Sequence, residues 1–378
     1  MRNKVIRLLK NLLRLFFVFP IKPNRILFIS YNGKQYSCNP KYIFENLIDN
    51  EVGIEYVWAF CNPKDFSIID ERVIKVRYKS LLYLYFALTA RIVVENAEGW
   101  SILPKRKGQI VINTWHGGGA YKGVGLNRRD TSKAEDKNML EKHQRVSLYI
   151  SSSRAFTEMT LRKSFGYSGE VLECGMPRND ILIHSDSKDK ERIRRKLKLC
   201  ESERYILYAP TFRKDLSYET NVDFEGLVRA LEQRFSGKWR VLYRHHYYVS
   251  DNSLDSQLID VSTVPDMQEL LLVADALLTD YSSSMWDFSF TGRPGFLFVP
   301  DLQDYLNGER AFYSPIESWP FEYACTNHDL FELIKSYDEL AAKRRIQCHH
   351  TMLESYENGI ATNTVCDYIK RTLEQKDI

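Results

Sequence analysis

Short apolar runs, separated by amphipathic stretches, repeat along the chain from residue 26 onward. Runs that suit buried strands occupy Ile26–Ser30, Tyr56–Phe60, Ile92–Val94, Ile110–Thr114, Leu148–Ser151 and Val171–Glu173. Between most of them lie segments with helical spacing, such as Tyr42–Leu47 and Leu81–Leu88. This alternation predicts parallel sheets covered on both faces. The pattern pauses over Ile181–Glu203, a stretch rich in charge from Asp186 to Lys196, where a solvated helix joining two domains is expected. A second strand series follows at Tyr205–Ala209, Val241–Arg244, Leu258–Val261, Ala276–Thr279 and Phe296–Val299. The expectation is an α/β protein of two Rossmann-like halves, with a cleft at the C-terminal ends of the strands.

The first residues follow a different pattern. In Met1–Phe19, Lys4, Arg7, Lys10, Asn11 and Arg14 interleave with Val5, Leu8, Leu9, Leu12, Leu13 and Phe16. On a helix the second set forms an apolar stripe and the first a basic flank. The uninterrupted apolar run, Leu15–Phe19, is far short of the roughly 20 residues that span a bilayer. No small-residue cleavage site follows it, so a secretory signal is not expected. A helix lying in an anionic membrane surface is expected, with a helix packed on the protein itself as the alternative.

Composition adds little to this and excludes some classes. A net charge of +4 over 378 residues does not suit a nucleic-acid binder. Seven scattered cysteines without a C-x-x-C argue against a disulfide framework or a zinc site, and for a reducing compartment.

Candidate chemistry gathers where strands end. At Asn113–Lys122 a strand runs into His116, then Gly117, Gly118 and Gly119, with Lys122 just beyond. Glycines there allow close backbone approach and leave N–H groups to meet a phosphate. At Tyr243–Tyr248 a strand ends in Arg244, His245 and His246; adjacent residues of an extended chain point oppositely, so one histidine of the pair faces the cleft. At Leu278–Phe288 a strand ends in Asp280, and Ser282, Ser283 and Ser284 open a helix that also carries Asp287. One serine there is an ordinary N-cap, whereas three hydroxyls beside a helix start suit a diphosphate. Thr211 and Arg213 make a plausible phosphate clamp, and the Pro265–Leu270 segment with Glu269 could edge a base or ribose. There is no G-x-x-x-x-G-K-[ST], G-x-G-x-x-G or H-E-x-x-H, and no D-x-D pair. No metal site is therefore assigned and no cofactor is required; Mg²⁺ is compatible with the chemistry but nothing calls for it.

Taken together, Ser30–Glu45, Gly108–Gly125, Tyr208–Arg213, Leu242–Asp251, Val264–Phe288 and Gly292–Pro294 resemble the CDP-glycerol:poly(glycerophosphate) glycerophosphotransferase family, the teichoic-acid primases and polymerases. The resemblance implies a GT-B-like fold and a division into a membrane-surface helix at 1–22, an acceptor domain at 23–185, a CDP-donor domain at 186–350 and a C-terminal helix at 351–378 packing back on the first domain. It implies that His116 is the base on the acceptor hydroxyl and that His246, rather than His245, contacts the transferred phosphate. Asp280, Ser282, Ser283 and Asp287 would hold the donor diphosphate, with Thr211, Arg213, Arg244, Glu269 and Ser284 beside them. The acceptor side would comprise Gly117, Gly118, Gly119, Lys122 and Asn96. The implied donor is CDP-glycerol or CDP-ribitol, the acceptor a lipid-linked saccharide or polyol phosphate, and the location the cytoplasmic face of the membrane. One departure stands out: the family's common Trp-His-Gly-Thr-Pro is here Trp115-His116-Gly117-Gly118-Gly119. The competing expectations are a GT-B glycosyltransferase using a nucleotide sugar and a non-catalytic nucleotide- or polymer-binding module. Histidine, with an ordinary pKa of about 6.5, suits a base at neutral pH and such a base supplies about 10²–10⁴-fold in rate.

Overall fold

A computed structural model describes residues 9–66, 69–99, 103–128, 132–184, 186–211, 221–244, 258–308 and 311–375. The chain divides into two compact units. The first comprises Met1–His116, Asp130–Asp180 and Tyr356–Ile378; the second comprises Gly117–Arg129 and Ile181–Ser355.

The first unit holds strands β1 (Lys22–Ile29), β2 (Glu55–Phe60), β3 (Ile74–Arg77), β4 (Ala90–Glu95), β5 (Ile110–Asn113), β6 (Leu148–Ser151) and β7 (Glu170–Glu173). They form one sheet in the order β3-β2-β1-β4-β5-β6-β7, every pair parallel. The second unit holds β8 (Glu203–Tyr208), β9 (Lys238–Tyr243), β10 (Leu258–Asp260), β11 (Ala276–Thr279), β12 (Gly295–Phe298) and β13 (Glu322–Ala324). Its order, β10-β9-β8-β11-β12-β13, repeats the same winding, again all parallel. In each sheet the order reverses once, between β1 and β4 and between β8 and β11. Such switch points are where loops at strand C-termini part and leave room for a ligand.

The apolar runs became strands because helices cover both faces of each sheet. All six residues of β4 are buried, as are the last five of β1. Leu27, Val57, Val93 and Val111 pack with Leu84 and Leu88 from helix Leu81–Thr89, which Ser80 caps through the Tyr83 amide. In the second unit Ile206, Val241 and Leu278 pack under Leu227 and Leu231 of helix Phe224–Phe235. The sequence pattern missed β3 and β13, which are edge strands of four and three residues with no continuous apolar run. The charged segment also differs from the expected solvated helix. In Ser187–Lys196, Ile193 is fully buried, while Lys190 and Arg194 pair with Asp275 at 2.8 and 3.1 Å. Helix Ala361–Glu374 lies on helix Cys38–Asn50 in the first unit, with the Cys366 thiol toward the Ile43 carbonyl and Lys370 paired to Glu51 at 2.9 Å.

Residues 9–13 are helical and Arg14–Val18 continue as a tighter turn. Leu13, Phe16 and Phe17 join the core against Leu81–Thr89, with the Phe19 ring on Tyr85 at 5.3 Å. Leu9, Leu12, Leu15 and Val18 stay exposed, the last two at 71% and 79%. The segment is therefore apolar on two sides, one docked and one facing solvent. Among the described residues no helix is long and apolar enough to cross a membrane.

Candidate functional site

In the first unit, His116 follows β5 one strand from the β1/β4 switch point. Its Nδ1 lies 2.6 Å from the Asn96 carbonyl, beyond the end of β4. A carbonyl only accepts, so Nδ1 carries the hydrogen, and in the neutral ring Nε2 is the nitrogen that can take a proton. Trp115 stacks on the His116 ring at 4.4 Å and is itself braced edge-on by Phe165 at 4.7 Å. The Tyr31 ring, from the loop after β1, lies 5.4 Å away on a tilt. Asn113 locks the approach: its Oδ1 accepts the Trp115 amide at 2.9 Å, and its Nδ2 donates to the Ala97 carbonyl at 2.6 Å. Asn39 donates to the Thr114 and Trp115 carbonyls, both at 3.3 Å.

These loops are strained. Tyr31, Asn32 and Cys38, and Trp115 next to the histidine, all have φ between 46° and 61°. Each such non-glycine residue costs on the order of 1–3 kcal/mol. Surrounding hydrogen bonds hold it: the Tyr31 amide donates to Asn96 Oδ1 at 2.7 Å. Behind the loops Glu95 is buried, and burial pushes its carboxyl up to about 6 against the opposing pull of Arg145.

Asn96 is itself fully buried. Its carbonyl orients His116 and its side chain ties Tyr31, so its place is beneath the loop. Gly117, Gly118, Gly119 and Lys122 belong to the second unit. There Gly118 lies against Trp286 and Gly119, at φ 76°, against the Tyr121 ring. Lys122 forms an isolated antiparallel bridge with Phe312, and its Nζ sits 6.0 Å from the Tyr305 ring.

Of the residues assigned to the donor side, Thr211 follows β8 and Asp280, Ser282, Ser283, Ser284 and Asp287 follow β11, the two strands of the switch point. Both Asp280 oxygens accept the Thr211 amide at 2.9 Å, and the Thr211 hydroxyl donates to Oδ1 at 2.6 Å. Asp280 thus ties the loop after β8 to the end of β11. Ser282 Oγ accepts from the Ser284 amide at 3.3 Å and lies 3.0 Å from the Ser284 hydroxyl, and Ser283 precedes helix Ser284–Ser289 without capping it. Asp287 is buried and accepts from Gln268 Nε2 at 3.0 Å. Glu269, next along, pairs with Lys196 at 2.6 Å. Arg244 reaches the Met267 sulfur at 3.0 Å. Arg213, His245 and His246 lie outside the described residues. Among the described residues, no group of three or more His, Cys, Asp or Glu side chains could hold a metal ion.

Sequence reasoning did not single out Tyr31, Asn39, Asn113 or Gln268. All four lie inside the stretches that carry the family resemblance, but a left-handed φ or a bond from a distant amide leaves no mark in a linear pattern.

Two parallel-sheet units of one winding, one presenting an oriented histidine and the other a cluster of hydroxyls and carboxylates at its switch point, define a protein of GT-B-like architecture. Residues 11–371 match the family described as CDP-Glycerol:Poly(glycerophosphate) glycerophosphotransferase, and the chain belongs to that family. It is 32% identical to a teichoic acid poly(glycerol phosphate) polymerase of Staphylococcus epidermidis over 94% of its own length and 52% of the relative's, so it spans about half of that protein. It is 29% identical to a teichoic acid glycerol-phosphate transferase of Staphylococcus aureus, covering 92% of each chain. The solved wall teichoic acid polymerase TagF superposes with a TM-score of 0.84 at 30% identity, over 99% of this chain and 95% of that one. TagF has also been solved as a histidine-to-asparagine variant soaked with CDPG.

Proposed function

We propose that the chain transfers glycerol phosphate from CDP-glycerol to a hydroxyl of a glycerol-phosphate or lipid-linked acceptor, releasing CMP. The observation that carries this reading is the 2.6 Å contact from His116 Nδ1 to the Asn96 carbonyl, which makes Nε2 the proton acceptor. The acceptor hydroxyl gives its proton to Nε2 and its oxygen forms a new bond to the glycerol-bearing phosphorus. The phosphoanhydride bond breaks, and CMP leaves with the bridging oxygen. Charge on the transferring group is met by Ser282, Ser283 and Ser284, with Arg244, Arg213 and His246 assigned to the same task from the sequence. Asp280 and Asp287 act by shaping the loops that carry these groups, since their oxygens accept from Thr211 and Gln268. The test is CMP release from CDP-glycerol, CDP-ribitol, and UDP- and GDP-sugars with a lipid-linked glycerol-phosphate acceptor. Release from CDP-glycerol above all others is expected; release driven by a nucleotide sugar, or tight binding of CDP-glycerol without release, overturns the reading.

The reading places the protein at the cytoplasmic face of the membrane, where its acceptor is anchored. The exposed Leu9, Leu12, Leu15 and Val18, beside Lys10 and Arg14, support this. Leu12→Ser/Leu15→Ser/Val18→Ser should weaken co-sedimentation with vesicles of phosphatidylglycerol about tenfold or more. Undiminished binding removes the membrane-surface assignment.

A further inference from the structure

At Gly118 the second unit leaves no room for a side chain. A Cβ built on Gly118 would lie 2.7 Å from Nε1 of Trp286 and closer still to its Cδ1. Real Cβ atoms do not approach so near, so the ring or the loop would have to move. The ring has nowhere to go. Trp286 is fully buried, with Phe290 edge-on at 5.1 Å and His350 at 5.4 Å. His350 in turn stacks on Phe290 at 4.3 Å and bonds Ser289 Oγ at 2.7 Å. The backbone, by contrast, offers no obstacle to a side chain, because Gly118 is not among the residues with positive φ. Gly119 differs on both counts: its φ is 76°, and a Cβ there would lie 2.7 Å from Tyr121 Cζ.

Trp286 sits in helix Ser284–Ser289, directly after the Ser282–Ser284 hydroxyls, whereas Gly118 is two residues from His116. The contact therefore joins the segment that follows the base to the helix that follows the phosphate-facing serines. Further along, the same segment is anchored by Tyr121, whose hydroxyl lies 2.9 Å from His349 Nε2, with His349 Nδ1 donating to the Ser318 carbonyl at 2.7 Å.

We propose that Gly118 and Trp286 form a size-matched pair that seats the segment Gly117–Lys122 on helix Ser284–Ser289 within the second unit, which makes Trp286 a positioning residue for the peptide that follows His116. The pair explains the glycine at 118: the indole occupies the volume that a side chain would need. The inference rests on the reading of His116 as base to an acceptor hydroxyl.

The experiment is a double-mutant cycle on the full chain, reading CMP release from CDP-glycerol with a lipid-linked glycerol-phosphate acceptor. Gly118→Ala should lower kcat at least about tenfold, because a displacement near 1 Å beside a reacting group has effects of that size or larger. The KM for CDP-glycerol should stay within about twofold, since the serines do not move with the loop. Trp286→Leu, whose branched end can turn aside, should cost less by itself and should restore Gly118→Ala at least about threefold in kcat. Gly119→Ala, strained by its φ as well, should gain nothing from Trp286→Leu. If Gly118→Ala proves too unstable to assay, the same cycle is read in Tm, where the double variant should melt above Gly118→Ala. Unchanged kcat in Gly118→Ala, or additive effects in the cycle by both readouts, overturns the pairing. Failure of the wild-type chain to release CMP instead overturns the underlying reading, and the two failures are told apart in one assay.

Discussion

The two units share a strand order yet treat their switch points in opposite ways. In the first, strain is concentrated: Tyr31, Asn32, Cys38 and Trp115 all take left-handed φ around one histidine, whose Nδ1 is held by a backbone carbonyl. In the second, side chains tie the loops: Asp280 accepts from the Thr211 amide and hydroxyl, Asp287 accepts from Gln268, and the Ser284 hydroxyl bonds Ser282. The difference suits the roles proposed for the two sites. A base acts through one lone pair, whose direction must be set within a narrow angle, and a strained, over-determined loop sets it. Phosphate charge is spread over several oxygens, and it is better met by many donors on loops linked together.

This contrast can be broken in order of effect. His116→Ala should reduce CMP release by about 10²–10⁴-fold while leaving donor affinity within a few-fold, as measured by calorimetry with CDP-glycerol. Near-normal turnover in a folded variant would remove the base assignment and with it the contrast. Asp280→Asn should act the other way, raising the KM for CDP-glycerol about tenfold with a smaller loss in kcat, because it loosens two hydrogen bonds to a charged acceptor. Thr211→Val, which deletes only the 2.6 Å hydroxyl bond, should give the same sign at a few-fold. A pure kcat effect for either would place Asp280 with the chemistry instead.

The smallest effect separates the units by pH. In the second unit, burial lowers His349 and His350 to about 4; the Ser318 carbonyl partly opposes this in His349, and the His349 charge adds to it in His350. Both take up protons more readily unfolded, at about 6.5. The stability they lend as neutral rings is complete above about 6.5 and is lost as pH falls toward about 4. In the first unit, His143 is lowered to about 4 by burial, but Glu95 is raised to about 6. Glu95 binds its proton first in the folded state, so its contribution moves oppositely, improving as pH falls through about 6 to 4.5. Hydrogen exchange at pH 5 against pH 7.5 should therefore open residues 286–290 and 345–350 more than residues 92–95 and 111–113. Equal protection in both sets would contradict this assignment.

The strands show how far a linear pattern reaches. Leu148–Ser151 and Ala276–Thr279 were legible to the residue, because strands covered on both faces must be continuously apolar. The edge strands Ile74–Arg77 and Glu322–Ala324 were not, since an edge needs no such run. His116 and the Asp280–Asp287 segment were assigned to the site from composition at strand ends and from family resemblance, and the structure places both just beyond strand ends. Asn96 was assigned to the acceptor side from the sequence, but the contact of its carbonyl with His116 was not legible there.

By itself, then, the sequence determined the alternation of elements, the two-unit α/β plan and which polar segments stand at strand ends, because burial and strand-end composition are local properties of a chain. Only the tertiary structure decided which nitrogen of His116 carries its hydrogen, that Asp280 accepts from Thr211, and that the glycine at 118 answers a tryptophan at 286. Each of these depends on atoms brought together from distant positions, and the sequence pattern holds no record of their distance or direction.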